Sequence, residues 1–369
     1  MVNIITKFSE FHLPKILLQS IERIKYNTST PIQSKAIPLI LQGKDVLASA
    51  QTGTGKTAAF IIPVLAKLAE DPSNRTVVLA PTRELALQIV DFAKSLLGRN
   101  SHIKTALLIG GASIELQLKQ LKAKPQLIIG TPGRLNHHLK EKNLVPSSIK
   151  TLVLDEIDNM LDLGFGIQLE KIIKLLPKAR QTLMFSATLP ENIIALAQKY
   201  LNNPVTVAVD SASKKSHSKI KQQVIYASEP EKYNHLVKEI RNRDGSIIVF
   251  VNTRFSAKKL LDKLKVDQLF AKAMHGDLKQ RQRNQVLKSF RNESYRILIA
   301  TNIAARGLDI PHVKHVINYD VPQCSDDYIH RIGRTGRAGN DGFAISFVSP
   351  YDKSKWKAIN RKIDIKLQS

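Results

Sequence analysis

The chain has 369 residues with 43% apolar side chains, enough for two domains of ordinary size with real cores. Its 56 basic and 31 acidic side chains leave a net charge of +25, which calls for a polyanionic partner. The lone Cys324 excludes a disulfide framework and a cysteine-rich metal site, no secretory leader pattern opens the chain, and the greasiest run, Ala58–Ala66, is too short to cross a bilayer; a cytoplasmic protein with no membrane association is expected.

Short apolar runs alternate with helix-length stretches. Asp45–Ala50, Thr76–Thr82, Thr105–Gly110, Gln126–Pro132, Thr151–Glu156 and Gln181–Thr188 read as strands. Most are apolar on both faces, which predicts a buried parallel sheet with crossover helices. The pattern breaks at Asp210–Gln223, a polar, basic, serine-rich stretch read as a short flexible linker. It restarts with Ser246–Thr253, Phe270–Gly276, Arg296–Thr301, His315–Asp320 and Gly342–Ser349. Two α/β domains in tandem are expected, with boundaries at 1–34 for an N-terminal segment, 35–209 for the first domain, 210–222 for the linker and 223–369 for the second domain. Residues 1–210 hold 25 basic and 16 acidic side chains, and 211–369 hold 31 and 15, so the second half is the more basic. No short-period repeat is visible. Ligands of such sheets bind beyond the carboxyl ends of strands, where nearly every short motif falls.

AQTGTGKT, Ala50–Thr57, follows the first strand and opens a helix, the context of a phosphate-binding loop. Gly53 and Gly55 let the backbone turn its N–H groups, that of Thr54 between them included, toward phosphate oxygens, and the helix N-terminus adds positive potential. Lys56 should reach the β- and γ-phosphates, and the Thr57 hydroxyl should ligate Mg²⁺. The apolar run Leu152–Leu154 stops at Asp155–Glu156, with Asp158 close behind. Asp155 can hold Mg²⁺ through water, and Glu156 is placed to orient and deprotonate the attacking water. A nucleoside triphosphate and Mg²⁺ are therefore the expected ligands.

With DEID at 155–158 and SAT at Ser186–Thr188, the sequence resembles the DEAD-box ATP-dependent RNA helicases along nearly its whole length. The motifs come in family order: AQTGTGKT, PTRELA from Pro81, GG at Gly110–Gly111, TPGR at Thr131–Arg134, DEID, SAT, IVFVNTR ending at Arg254, HGDLKQRQR from His275, ATNIAARGLDI from Ala300 and HRIGRTGRAG from His330. The resemblance implies two RecA-like domains, each a parallel sheet flanked by helices. It also implies RNA-stimulated ATP hydrolysis that locally unwinds short duplexes.

Roles carry over residue by residue. STPIQ, Ser29–Gln33, looks like the adenine-reading motif, with Gln33 on the adenine edge and Tyr26 stacked on the base; Phe8 braces this segment or, with Phe11, is simply core. Arg334 and Arg337 would be arginine fingers on the γ-phosphate, and Asp309 would meet the ribose or the finger network. Asp158 should bond the hydroxyls of Ser186 and Thr188 and couple ATP to RNA. RNA phosphates and 2′-hydroxyls should meet Pro81, Thr82, Arg83, Gly111, Thr131, Gly133 and Arg134, then Thr253, Arg254, Thr301 and Arg306. Such contacts carry little sequence information. The expected partner is RNA, single-stranded or in short duplexes, bound by a monomer. Three positions depart from the family pattern: Lys25 for a usual glycine, Asn302 for a usual aspartate, and Ile157 for the alanine of the name motif. A non-catalytic RNA clamp and a DNA translocase are the competing readings. Intact Glu156 and arginine fingers favour an ATPase over the clamp, while STPIQ and SAT favour RNA over DNA.

Overall fold

A computed structural model describes residues 6–50, 53–98, 101–209, 220–305, 310, 312–336 and 341–363. The chain divides into two compact units at about residue 210. Among the described residues, no helix is long and apolar enough to cross a membrane.

The first unit is built on a seven-stranded sheet of β1 (Val46–Ser49), β2 (Thr76–Leu79), β3 (Thr105–Leu108), β4 (Leu127–Gly130), β5 (Thr151–Leu154), β6 (Gln181–Ser186) and β7 (Val205–Ala208), in the order β3-β4-β2-β5-β6-β1-β7. All neighbours pair in parallel. The strands are apolar on both faces because both faces are covered. Val46, Ala48, Val78, Val153 and Phe185 pack into one core, while Leu47, Val77, Leu79, Leu154 and Met184 pack into another. That is the period-two alternation of a strand buried on each side.

The second unit repeats the plan with β8 (Ile220–Tyr226), β9 (Ser246–Val251), β10 (Ala271–Met274), β11 (Ile297–Thr301), β12 (Val313–Asn318) and β13 (Gly342–Val348), in the order β10-β11-β9-β12-β13-β8. Ile248 and Phe250 enter one core, Ile247, Val249 and Val251 the other. Both units are RecA-like, a parallel sheet flanked by helices. Six strand positions of the first sheet recur in the second: β3-β4-β2-β5-β6-β1 corresponds to β10-β11-β9-β12-β13-β8.

Three expectations need correction. The apolar runs were read too far: β2 stops at Leu79, β5 at Leu154 and β6 at Ser186, so the motif residues beyond them form strand-to-helix turns. The edge strands β7 and β8 are missing from the pattern reading. Each covers its neighbour with only one edge and is half exposed, so polar residues such as Lys221, Gln222 and Gln223 are tolerated. Consequently Ile220–Gln223, read as linker, is strand; residues 210–219 lie outside the described residues. The boundary at 34/35 also divides the helix Pro31–Leu41, and Phe8, Phe11, Leu17 and Ile32 share a core with the helix Lys56–Glu70, so the N-terminal segment belongs to the first unit.

Candidate active site

The phosphate loop lies between β1 and the helix Lys56–Glu70. Gly53 and Gly55 have φ of 86° and 93°, a left-handed backbone that glycine adopts without strain. A side chain at Gly55 would also collide with the Gln33 carboxamide. Lys56 is buried, and its Nζ has no hydrogen-bond partner among the described residues. An ammonium left in that state is costly unless an anion arrives, so the loop fits a phosphate chain.

The acids close the other side. Asp155 follows directly on β5, its N–H donating to Leu79 O at 2.9 Å, and its side chain is buried. Burial pushes its pKa up, the Glu156 charge adds to this, and the Lys56 ammonium opposes it. A divalent cation would relieve the same cost. Among the described residues no cluster of three or more His, Cys, Asp or Glu could hold a metal.

Glu156 is itself left-handed, with φ 51° and ψ 53°. For a residue with a Cβ this is strained, and the surroundings hold it there. Its N–H donates to Asp155 Oδ1 at 3.0 Å, and its Oε2 accepts from Asn159 Nδ2 at 2.8 Å. Asn159 was not singled out in the sequence. The available signal was its place three residues after Glu156, one turn into the helix Ile157–Asp162. Ile157 is fully buried among Leu154, Met160 and Met184. Asp158 turns the other way. Its Oδ2 accepts from the backbone N–H of Ala187 at 2.9 Å and of Thr188 at 3.3 Å. The expected bonds to the Ser186 and Thr188 hydroxyls are not made: Ser186 Oγ is buried without a partner among the described residues. The corner after β6 brings amides, not hydroxyls, toward the carboxylate.

The N-terminal segment is tied to the phosphate loop. Gln33 Nε2 donates to Gly55 O at 3.1 Å and its Oε1 accepts from Thr30 N at 2.9 Å. One N–H and one lone pair of the carboxamide remain for a base edge. Tyr26 is partly exposed and stacks on Phe8 at 6.3 Å, while Phe92 flanks it at 6.0 Å. Phe8 is at once core and brace. Lys25 sits at φ 60°, where the chain turns out of the helix Lys15–Arg23. Its N–H donates to Glu22 O at 2.8 Å and that of Tyr26 to Ile21 O at 3.0 Å, a Schellman closure normally given to glycine.

The remaining motifs lie at the carboxyl ends of equivalent strands in the two units. After β2, Thr82 caps the helix Arg83–Leu97 by accepting from Leu85 N at 3.2 Å. After β9, Thr253 caps the helix Arg254–Val266 by accepting from Ser256 N at 3.0 Å. The two caps share a backbone, φ −124° and ψ 155° against −125° and 154°, and each is followed by arginine. The hydroxyls serve the caps, and the first turn of each helix keeps N–H groups without an intrahelical acceptor. Pro81 is buried behind this turn. After β3, the Arg83 guanidinium packs against Gly110, where a Cβ would stand 3.1 Å from it, and Gly111 turns at φ 75°. After β4, Thr131 is buried, Gly133 is exposed, and Arg134 Nη1 is buried with no partner among the described residues. Thr301 ends β11, the counterpart of β4. Arg254 is paired with Asp277 at 2.6 Å, and Lys258 joins the same carboxylate at 3.0 Å; the two cations hold Asp277 below the usual carboxylate range.

Arg331 organises this end of the second sheet. It is 2% exposed and donates to Asn302 Oδ1 at 2.6 Å, Asp320 O at 2.6 Å, Asn252 Oδ1 at 2.8 Å and Asn318 Oδ1 at 3.3 Å. It therefore joins the ends of β9, β11 and β12. Burial draws its pKa down to about 10, opposed by Asp327 and Asp320. Arg334 is buried, with Nε donating to His330 O at 3.1 Å. Arg306, Asp309 and Arg337 lie outside the described residues. In the first unit the turn after β1 carries the phosphate loop; its counterpart after β8, Ala227–Ser228–Glu229, has neither glycine nor the Lys–Thr pair.

A phosphate loop, a buried pair of acids beside it and a duplicated set of strand-end loops on two RecA-like units define a nucleotide-hydrolysing motor of the helicase kind. Residues 30–196 match the family described as DEAD/DEAH box helicase, and residues 231–339 match the helicase conserved C-terminal domain. The chain is 43% identical over 346 residues to the ATP-dependent RNA helicase CshA of Limosilactobacillus reuteri, covering 93% of this chain and 69% of that protein. It is 40% identical over 363 residues to the CshA of Bacillus subtilis, covering 97% and 73%. Among solved structures it is similar to S. cerevisiae Dbp5 bound to RNA and ADP BeF3, with 34% identity, a TM-score of 0.87 and coverage of 98% of this chain and 94% of that one. Mss116p bound to ssRNA and AMP-PNP aligns with 30% identity and a TM-score of 0.88, over 99% and 79% of the two chains. The chain belongs to the DEAD-box helicase family.

Proposed function

We propose a division of labour among named residues in an ATP-dependent RNA helicase, the activity this family membership gives the chain. ATP is held by the N–H groups of Gly53–Thr57 and by Lys56, whose buried, unpartnered ammonium is the observation that carries the reading. Tyr26 and Gln33 take the adenine. Thr57 and Asp155 are the Mg²⁺ donors, and the ion when bound neutralises phosphate charge. Glu156 takes the proton of the attacking water, and Asn159 keeps its carboxylate in place. Arg334 and Arg337 are assigned the finger role, with Asp309 at the ribose. Charge supplied in this way is worth roughly 10³–10⁵ in rate in comparable enzymes.

RNA is taken by the strand-end loops: Pro81–Arg83, Gly111, Thr131, Gly133 and Arg134 in the first unit, and Thr253, Arg254, Thr301 and Arg306 in the second. The duplication supports this, since equivalent turns present amides and arginines in each unit. Asp158 joins the acids to the Ser186–Thr188 corner and carries the coupling. A monomeric state and a cytoplasmic location belong to the same proposal. The deciding experiment is ATPase activity with RNA or DNA oligomers of equal length. Stimulation by RNA alone is expected; equal stimulation by DNA would favour a translocase, and ATP binding without turnover a clamp.

A further inference from the structure

Gln117 and His138 lie outside every motif named above, yet both are buried between two of them. Gln117 is on the helix Ile114–Lys122, directly after the Gly110–Gly111 turn. Its Nε2 donates to the carbonyls of Ile109 at 3.1 Å, Ala112 at 3.3 Å and Ser113 at 3.3 Å. These carbonyls flank the two glycines on both sides. They lie past the end of β3, where the ladder no longer holds the backbone, so a buried side chain takes its place. His138 is on the helix Pro132–Lys140, whose first turn carries Arg134. Its Nε2 faces Gln117 Oε1 at 3.1 Å, and Asn143 Nδ2 faces its Nδ1 at 3.4 Å. A neutral ring with its proton on Nε2 satisfies both contacts at once.

We propose that Gln117 is a positioning residue for RNA, with His138 as its anchor. The carboxamide fixes the Gly110–Gly111 turn, and the imidazole ties that turn to the helix behind Arg134. The two loops then present their donors to one strand as a fixed unit, although neither side chain touches it. The inference rests on the reading of these loops as RNA-binding. The physical advantage is pre-organisation: glycine-rich turns are mobile by nature, and holding them before binding removes an ordering cost from the complex.

The test uses the full chain and a uridine decamer, titrated in the RNA-stimulated ATPase assay, with melting temperature as the check of folding. Gln117→Ala removes the carboxamide. Gln117→Glu keeps its shape but turns a carboxylate oxygen toward the carbonyls. Both should raise the half-saturating RNA concentration about tenfold, while kcat at saturating RNA and the affinity for ATP stay at wild-type values. His138→Ala should raise it less, and His138→Gln, whose amide still donates to Gln117, should restore it. A folded Gln117 variant with a wild-type RNA curve overturns the proposal. So does an equal loss in RNA affinity, ATP affinity and kcat, which marks general damage. If both Gln117 variants fail to fold, the His138 pair decides: RNA curves that coincide for His138→Ala and wild type overturn it. Arg134→Ala separates the two levels. If it weakens RNA and the folded Gln117 variants do not, only the positioning role falls; if it too leaves RNA binding intact, the reading of the loops falls as well.

Discussion

Arg331 donates through Nε to Oδ1 of Asn302 at 2.6 Å, at the position where related helicases usually carry aspartate. The guanidinium is thus buried against the side chains of three asparagines and the Asp320 carbonyl. Asn302→Asp should turn a neutral acceptor into a charged one and stabilise the second unit by about 1 kcal/mol. The gain should disappear below about pH 4, where the new carboxylate is protonated. Arg331→Met, which strands all four acceptors, should cost about 3–5 kcal/mol. Urea denaturation of each variant at pH 7 and pH 4 checks both signs.

Lys25 holds a left-handed turn that glycine makes without strain. Lys25→Gly should stabilise the first unit by about 1 kcal/mol, and Lys25→Ala should give no such gain because it keeps the Cβ. Thermal melting distinguishes them.

Ile157 is a packing residue between acids. Ile157→Ala should cost about 2–5 kcal/mol of stability and leave the ATPase active below the melting transition. Asp158→Ala should do the reverse, losing RNA stimulation more than stability, because the amides of Ala187 and Thr188 lose their acceptor. Asp158→Asn, which can still accept, should retain part of the coupling. Loss of RNA stimulation in Ile157→Ala with Asp158→Ala unaffected would reverse these assignments.

Glu156→Gln should bind ATP normally and lose hydrolysis by roughly 10²–10⁴-fold, since Asp155 remains to hold the metal. Lys56→Ala should lose ATP affinity instead. Asn159→Ala, which releases the Glu156 carboxylate, should lower kcat without changing ATP affinity. Fluorescent-nucleotide titration and phosphate release read the two quantities separately.

His138 is held below the ordinary histidine pKa, first by burial and then by the charges of His137 and Arg134. Its folded pKa is lower than its unfolded one, so the unfolded chain binds more protons in the window between them. The stability it contributes is complete above about pH 6.5 and falls as the pH drops through that window. His138→Gln should flatten this part of the stability profile in denaturation measured from pH 5 to 8.

Much of this protein was readable before folding. The phosphate-loop pattern and the acid pair Asp155–Glu156 stand out by local spacing, because phosphate and metal need particular residue types at fixed separations along one turn; the order of the remaining motifs is legible only through the family resemblance. The central strands were legible for a similar reason: burial on both faces demands continuous apolar runs. The edge strands β7 and β8 were not, since a strand covered on one edge tolerates the lysine and glutamines of Ile220–Tyr226.

What the tertiary structure decided is which side chains meet across distance in the chain. That Glu156 leans on Asn159, that Asp158 collects amides rather than hydroxyls, and that Gln117 reaches His138 depend on how helices settle on the sheet. The shared role of Thr82–Arg83 and Thr253–Arg254 was legible in the sequence, but their matching helix caps and backbone were not. The two turns share a Thr–Arg pair, a backbone and a place in the sheet order, while the strands that lead into them differ in sequence, because strand topology is held by pairing and packing that many sequences satisfy. The residue types of the chemistry were set by the chain itself; their orientation was set by the core beneath them.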